Sequence, residues 1–201
     1  MNIKRFEGCL LGLACGDAVG ATVEFVPRDR FKPMTDMVGG GKFRLKKGEW
    51  TDDTSMALCL AESLVECQGF DAMDQMQRYW RWADTGYNSC QPHPIGIGKT
   101  VVAALIRFKK TGEAFCGSEA PDTSGNGSLM RLAPIPMFYA SQPEKVAHYA
   151  ALSSKTTHAS PDCLACCQYF ALVLHKALTG EKDKSALFPE TVNFTMEGAA
   201  T

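Results

Sequence analysis

Apolar residues recur three and four positions apart over most of this chain, and strand-like alternation is nearly absent. Ile3, Phe6, Leu10 and Leu13 share one face of a first helix. Met56, Leu60 and Leu64 line up over about Asp53 to Glu66, and Met73, Met76, Tyr79, Trp80 and Ala83 fall within a helix from about Asp71 to Ala83. Another helix is predicted from about Lys99 to Lys110. Ser160-Pro161-Asp162 starts a further one, with a capping serine, proline at the first position and then an acid. Leu164, Cys167, Ala171, Leu174 and Leu178 continue that helix, and Gly180 closes it. The expectation is an all-α fold over residues 1–201, in a single domain without internal repeat or linker.

The intervening segments carry turn residues. Residues 21–49 read as a long loop with Pro27, Pro33 and the Gly39-Gly40-Gly41 triplet, and loops of that length in compact domains tend to be functional. A second loop contains Pro92-His93-Pro94, and Ser124-Gly125-Asn126-Gly127-Ser128 is a turn. A short apolar helix is expected from Leu129, ended or kinked by Pro134 and Pro136. In the first helix Gly8, Gly12, Gly16 and Gly20 recur every four residues. Each costs roughly 1 kcal/mol relative to alanine, so the stripe predicts close approach of another backbone or a ligand. Phe188 to Thr201 has no closing cap and reads as a helix or loop cut short.

Composition narrows the function classes. A 201-residue chain with 45% hydrophobic and 21% charged residues can bury a real core. A net charge of −1 provides no general attraction to nucleic acid or to an anionic membrane. Lys4 and Arg5 before the apolar run Gly8–Ala21 imitate a signal peptide, but Asp17 and four glycines interrupt it. The run is therefore read as a buried helix and the protein as cytoplasmic. Nine cysteines, odd in number and irregular in spacing, agree with a reducing compartment.

Four places carry candidate chemistry. Thr51, Asp52 and Asp53 put a hydroxyl and two carboxylates at a helix start, a set of hard oxygen ligands suited to Mg²⁺ or Ca²⁺. Alternatively they form an acidic helix start in which Thr51 caps. Gly125-Asn126-Gly127, ahead of a helix, suits the close approach of a phosphate or pyrophosphate, to which Arg131 adds charge; it also reads as a plain connecting turn. His158 precedes the helix that begins at Pro161, where the positive dipole end favours a neutral imidazole, and a capping or surface role competes. Glu24 opens the long loop as an acid–base group or a solvated charge. Zinc at Cys163, Cys166 and Cys167 is disfavoured, because these lie in one helix and no second pair matches them.

Taken in order, Gly8–Gly20, Glu24, Trp50-Thr51-Asp52-Asp53-Thr54, Gly125–Arg131 and Thr157-His158 resemble the ADP-ribosylglycohydrolase family. The resemblance implies a compact, orthogonal multi-helix domain with two Mg²⁺ ions. It implies cleavage of the bond between ADP-ribose and a protein side chain or small acceptor. Thr51, Asp52 and Asp53 would be metal ligands, and Glu24 and Asp53 catalytic. Gly125, Asn126, Gly127, Ser128 and His158 would hold the ADP-ribose. Two departures stand out. The family's C-terminal Asp-x-Asp-Thr has no counterpart, since no Asp-x-Asp occurs, and Gly96-Ile97-Gly98 stands where relatives carry Asp-Ile-Gly. The chain is therefore read as the N-terminal portion of a longer hydrolase, truncated at its C-terminus. It would need a complementing segment or self-association. The alternative is a non-catalytic ADP-ribose-binding module or an inactive fragment.

Overall fold

The computed structural model describes residues 2–188, and the expected all-α architecture is found there. The helices are α1 (Ile3–Gly20), α2 (Asp52–Glu66), α3 (Ala72–Thr85), α4 (Lys99–Thr111), α5 (Pro134–Phe138), α6 (Pro143–Lys155), α7 (Pro161–Thr179) and α8 (Lys184–Leu187). Extended pairing among the described residues is limited to two isolated bridges, Gly40 with Leu45 and Ser118 with His158.

Helix α2 is central because it is apolar on two sides. Met56 and Cys59 join Met76, Tyr79 and Trp82 of α3 and Val101, Leu105 and Phe108 of α4 in one core cluster. Leu60 and Leu64 join Ile135, Tyr139, Val146, Ala150, Cys167 and Ala171 in a second, built on α5, α6 and α7. Burial of the large apolar side chains supplies the main driving force, on the order of 1.5–3 kcal/mol each. Local signals set the boundaries. The Asp71 carboxylate accepts from Asp74 N at the start of α3, and Ser160 Oγ accepts from Cys163 N at the start of α7.

Three expectations are corrected. The first helix exists but is not a buried one: only Asp17 and Ala18 are buried, while Ile3 and Leu11 are 67% and 63% exposed. Its glycine stripe faces open space among the described residues, with nothing within 4 Å of a Cβ placed at Gly8, Gly12, Gly16 or Gly20. The segment after Gly127 is a set of turns, and the short helix begins at Pro134 instead of ending there, since proline's fixed φ suits a first helical position. Helix α6 was not expected. Its start has Pro143 and Glu144, but two of its buried residues, Ser153 and Ser154, are polar, which blurs the apolar period. The expected cut-short end, Phe188–Thr201, lies outside the described residues apart from Phe188. Among those described, no helix is long and apolar enough to cross a membrane.

Candidate active site

The first turn of α2 is held by a side chain from a different helix. The carboxylate of Asp17, near the end of α1, accepts from Thr51 N (3.0 Å to each oxygen), Thr51 Oγ1 (2.7 Å), Thr54 N (3.1 Å) and Thr54 Oγ1 (2.7 Å). An anion at a helix N-terminus satisfies its free amides and complements the dipole. Thr51 occupies the N-cap position but makes no side-chain cap; its hydroxyl donates to Asp17 instead. Sequence reasoning saw Asp17 only as a charge interrupting an apolar run, and no local pattern links it to a helix 34 residues away.

This cap places Asp52 and Asp53 in the wall of a cleft of about 670 Å³. The same cleft is lined by Glu24, Lys42, Gly96, Lys99, Gly125, Asn126, Gly127 and His158, so it brings together seven of the nine sequence-predicted site residues. The other two stand behind it. Thr51 is 3% exposed, and Ser128 is buried, its Oγ pairing with Ser154 Oγ at 2.8 Å and contacting Cys167 Sγ at 3.4 Å. Lys42, Lys99 and Thr100 also face the cleft and were not singled out from the sequence. Asp53, Asn126 and Met130 line a neighbouring cavity of about 480 Å³ as well, under Cys9, Gly12 and Leu13 of α1.

The cleft is electrostatically polarised. Burial, then the charge of Asp53, pushes the Asp52 carboxyl up to about 8. Burial and then Asp17 push Asp53 up to about 6. Glu24 is raised by burial and by Asp17, against the lowering pull of Lys42. Gly96 explains how Asp52 fits: the glycine has φ +83°, and a Cβ there would overlap an Asp52 carboxylate oxygen. The lack of a side chain at Gly96 therefore leaves room for the acid on α2.

The phosphate-type turn is anchored from behind. Cys163 Sγ lies 3.4 Å from the Gly125 carbonyl, and Ser124 Oγ donates to Ser160 Oγ at 2.8 Å. A Cβ at Gly127 would come within 2.6 Å of His158 Cε1, so the turn and the imidazole are in close packing. Arg131 does not reach the cleft as expected. It is fully buried, stacked over the Tyr79 ring at 4.5 Å, and donates to the carbonyls of Gly127 and Ser153 and to the hydroxyls of Thr156 and Thr157. Burial, then the nearby Arg131 charge, pushes His158 down to about 4, so the imidazole is neutral at ordinary pH.

Among the described residues, no three His, Cys, Asp or Glu side chains converge as a metal-ligand set. Asp52 and Asp53 are nevertheless hard oxygen donors, adjacent, facing the cleft and raised partly by mutual or neighbouring negative charge. Mg²⁺ is often held by one or two carboxylates, with waters and substrate oxygens completing the shell. The residues present thus fit one such ion.

Helical packing around a cleft with paired carboxylates on one wall and a Gly-rich turn on another defines a class, and the comparisons agree with it. The sequence pattern of the ADP-ribosylglycohydrolase family matches residues 2–199, and the chain belongs to that family. It is 43% identical over 187 residues to an ADP-ribosylarginine hydrolase, Tri1, of Pseudomonas putida, covering 93% of this chain and 50% of the relative. It is 32% identical over 196 residues to human ADP-ribosylhydrolase ARH3, covering 90% and 52%. A solved ADP-ribosylglycohydrolase-related protein complex superimposes with a TM-score of 0.79 at 43% identity, over 91% of this chain and 59% of that one. The chain spans about half the length of the curated relatives it matches.

Proposed function

We propose that this chain carries the carboxylate and pyrophosphate-binding walls of a Mg²⁺-dependent hydrolase that releases ADP-ribose from a modified protein side chain or small acceptor. The observation that carries this reading is that Asp52, Asp53, Glu24, the Gly125-Asn126-Gly127 turn and His158 all line one cleft. The relatives' names supply the class of substrate: Tri1 is named for ADP-ribosylarginine, and ARH3 for ADP-ribosyl hydrolysis.

In this reading Asp52 and Asp53 hold the ion, which supplies charge stabilisation for ribose hydroxyls or for a bound water. The protein's own groups do the rest. Main-chain atoms of the Gly125–Gly127 turn allow close approach of the pyrophosphate, and Lys42 and Lys99 offer positive charge across the cleft. Cleavage at the anomeric carbon develops oxocarbenium character, which nearby carboxylates stabilise. Glu24, exposed on the cleft wall with its carboxyl held above the usual range, is suited to exchange a proton with water or the leaving acceptor. Holding the pyrophosphate end orients the scissile bond.

The test is release of free ADP-ribose from mono-ADP-ribosylated protein by the 201-residue chain, with Mg²⁺ and with chelator. The expected result is Mg²⁺-dependent release that Asp52→Asn and Asp53→Asn each reduce at least about a hundredfold, a typical cost of losing a group that stabilises developing charge. Absence of release, with ADP-ribose still bound, would instead favour the non-catalytic binding module.

A further inference from the structure

A chain of hydrogen bonds runs from the buried Arg131 to the cleft. Arg131 Nη2 lies 2.8 Å from Thr157 Oγ1, which lies 2.9 Å from His158 Nδ1. A guanidinium is donor-only, so the threonine oxygen must accept from it. The threonine hydrogen then needs an acceptor. Thr157 is fully buried, and among the described residues its hydroxyl has no partner other than Arg131 and His158. If Nδ1 carried a proton, it would face the hydroxyl as a second donor, and the hydroxyl hydrogen would be left unpaired where no water reaches it.

We propose that Arg131 and Thr157 set the tautomer of His158, so that Nδ1 accepts from Thr157 and Nε2–H is presented to the cleft as a donor. The ring is well fixed for this. His158 N donates to Ser154 O at 2.7 Å, His158 O accepts from Ser154 Oγ at 2.8 Å, and Gly127 packs against Cε1. Nε2 has no partner among the described residues and faces the Gly125–Gly127 turn. A neutral imidazole presenting N–H donates to an oxygen of the ligand and does not act as general base. On the reading that the cleft takes ADP-ribose, that oxygen belongs to a phosphate or a ribose hydroxyl, and proton transfer falls to the carboxylates. Arg131 and Thr157 are then positioning residues, acting on the ligand only through His158.

Tautomers are read directly by long-range proton–nitrogen correlation on histidine-labelled, ligand-free chain, with His158→Gln identifying the His158 signals among the four histidines. Wild type is expected to show an unprotonated Nδ1 and a protonated Nε2. Thr157→Val, which keeps shape but removes the hydroxyl, is expected to give a mixture of tautomers, and Thr157→Ser to restore the wild-type pattern. Affinity for free ADP-ribose should fall about five- to tenfold in Thr157→Val and recover in Thr157→Ser, the scale of one hydrogen bond. A protonated Nδ1 in wild type overturns the proposal even if Thr157→Val does not fold, and so does an unchanged tautomer in a folded Thr157→Val. Failure of wild type to bind ADP-ribose strikes the proposed function and not the tautomer, which is read without ligand.

Discussion

Asp17 shows how much one side chain can organise here. Its carboxylate takes hydrogen bonds from two amides and two hydroxyls of residues 51 and 54, and it is only 9% exposed. Removing it leaves four donors without their acceptor, and buried unpaired donors cost about 1–3 kcal/mol each where water does not reach them. Asp17→Ala is therefore expected to destabilise the chain by about 3 kcal/mol or more in urea unfolding, because some donors will find water. A loss under about 1 kcal/mol would mean that α2 starts equally well without this cap. Of the site residues, Asp52, Asp53, Glu24, the Gly-rich turn and His158 were legible from residue type and order. The roles of Asp17 and Arg131 were not, because each acts through a contact between segments distant in sequence.

At the scale of elements, periodicity identified α2, α3, α4 and α7 because each has an apolar face that meets a core cluster. It overlooked α6, where the buried positions include serines satisfied by partners from other segments: Ser154 Oγ pairs with Ser128 Oγ, and Ser153 Oγ accepts from Gln75 Nε2. It misjudged α1, whose apolar residues suggested burial that the described fold does not provide. The contrast is measurable. Leu60→Ala on α2, fully inside the second core, is expected to cost about 2–5 kcal/mol. Leu11→Ala on α1, at 63% exposure, is expected to stay within about 0.5 kcal/mol. Comparable losses for the two in denaturant melts would show that α1 is covered in solution.

For the whole molecule, the buried acids couple stability to pH. Asp52 rises from 3.8 to about 8 and Asp53 from 3.8 to about 6, so over that range the folded chain keeps protons that the unfolded chain has released. Their contribution is therefore present at low pH and is lost as pH rises through the folded values. His158 acts in the opposite sense: lowered from 6.5 to about 4, it stays neutral when folded while the unfolded chain takes up a proton, so its contribution is lost as pH falls through that interval. Mg²⁺ at Asp52 and Asp53 competes with the retained protons. The rise in Tm on adding Mg²⁺ should be clear at about pH 8 and nearly absent at about pH 4, and Asp52→Asn should abolish most of it. An equal rise at both pH values, or one kept in Asp52→Asn, would place the ion elsewhere.

Helical class, most helix positions and the order of the family motifs follow from the sequence alone, because periodicity, capping residues and short motifs are local properties. Only the tertiary structure decided that Asp17 caps α2, that Arg131 turns inward to stack on Tyr79, and that Gly96 makes room for Asp52. It also decided that the acids of α2 and the turn before α5 share one cleft. Those outcomes depend on which distant surfaces meet when the two clusters around α2 close, and spacing along a chain does not encode that distance.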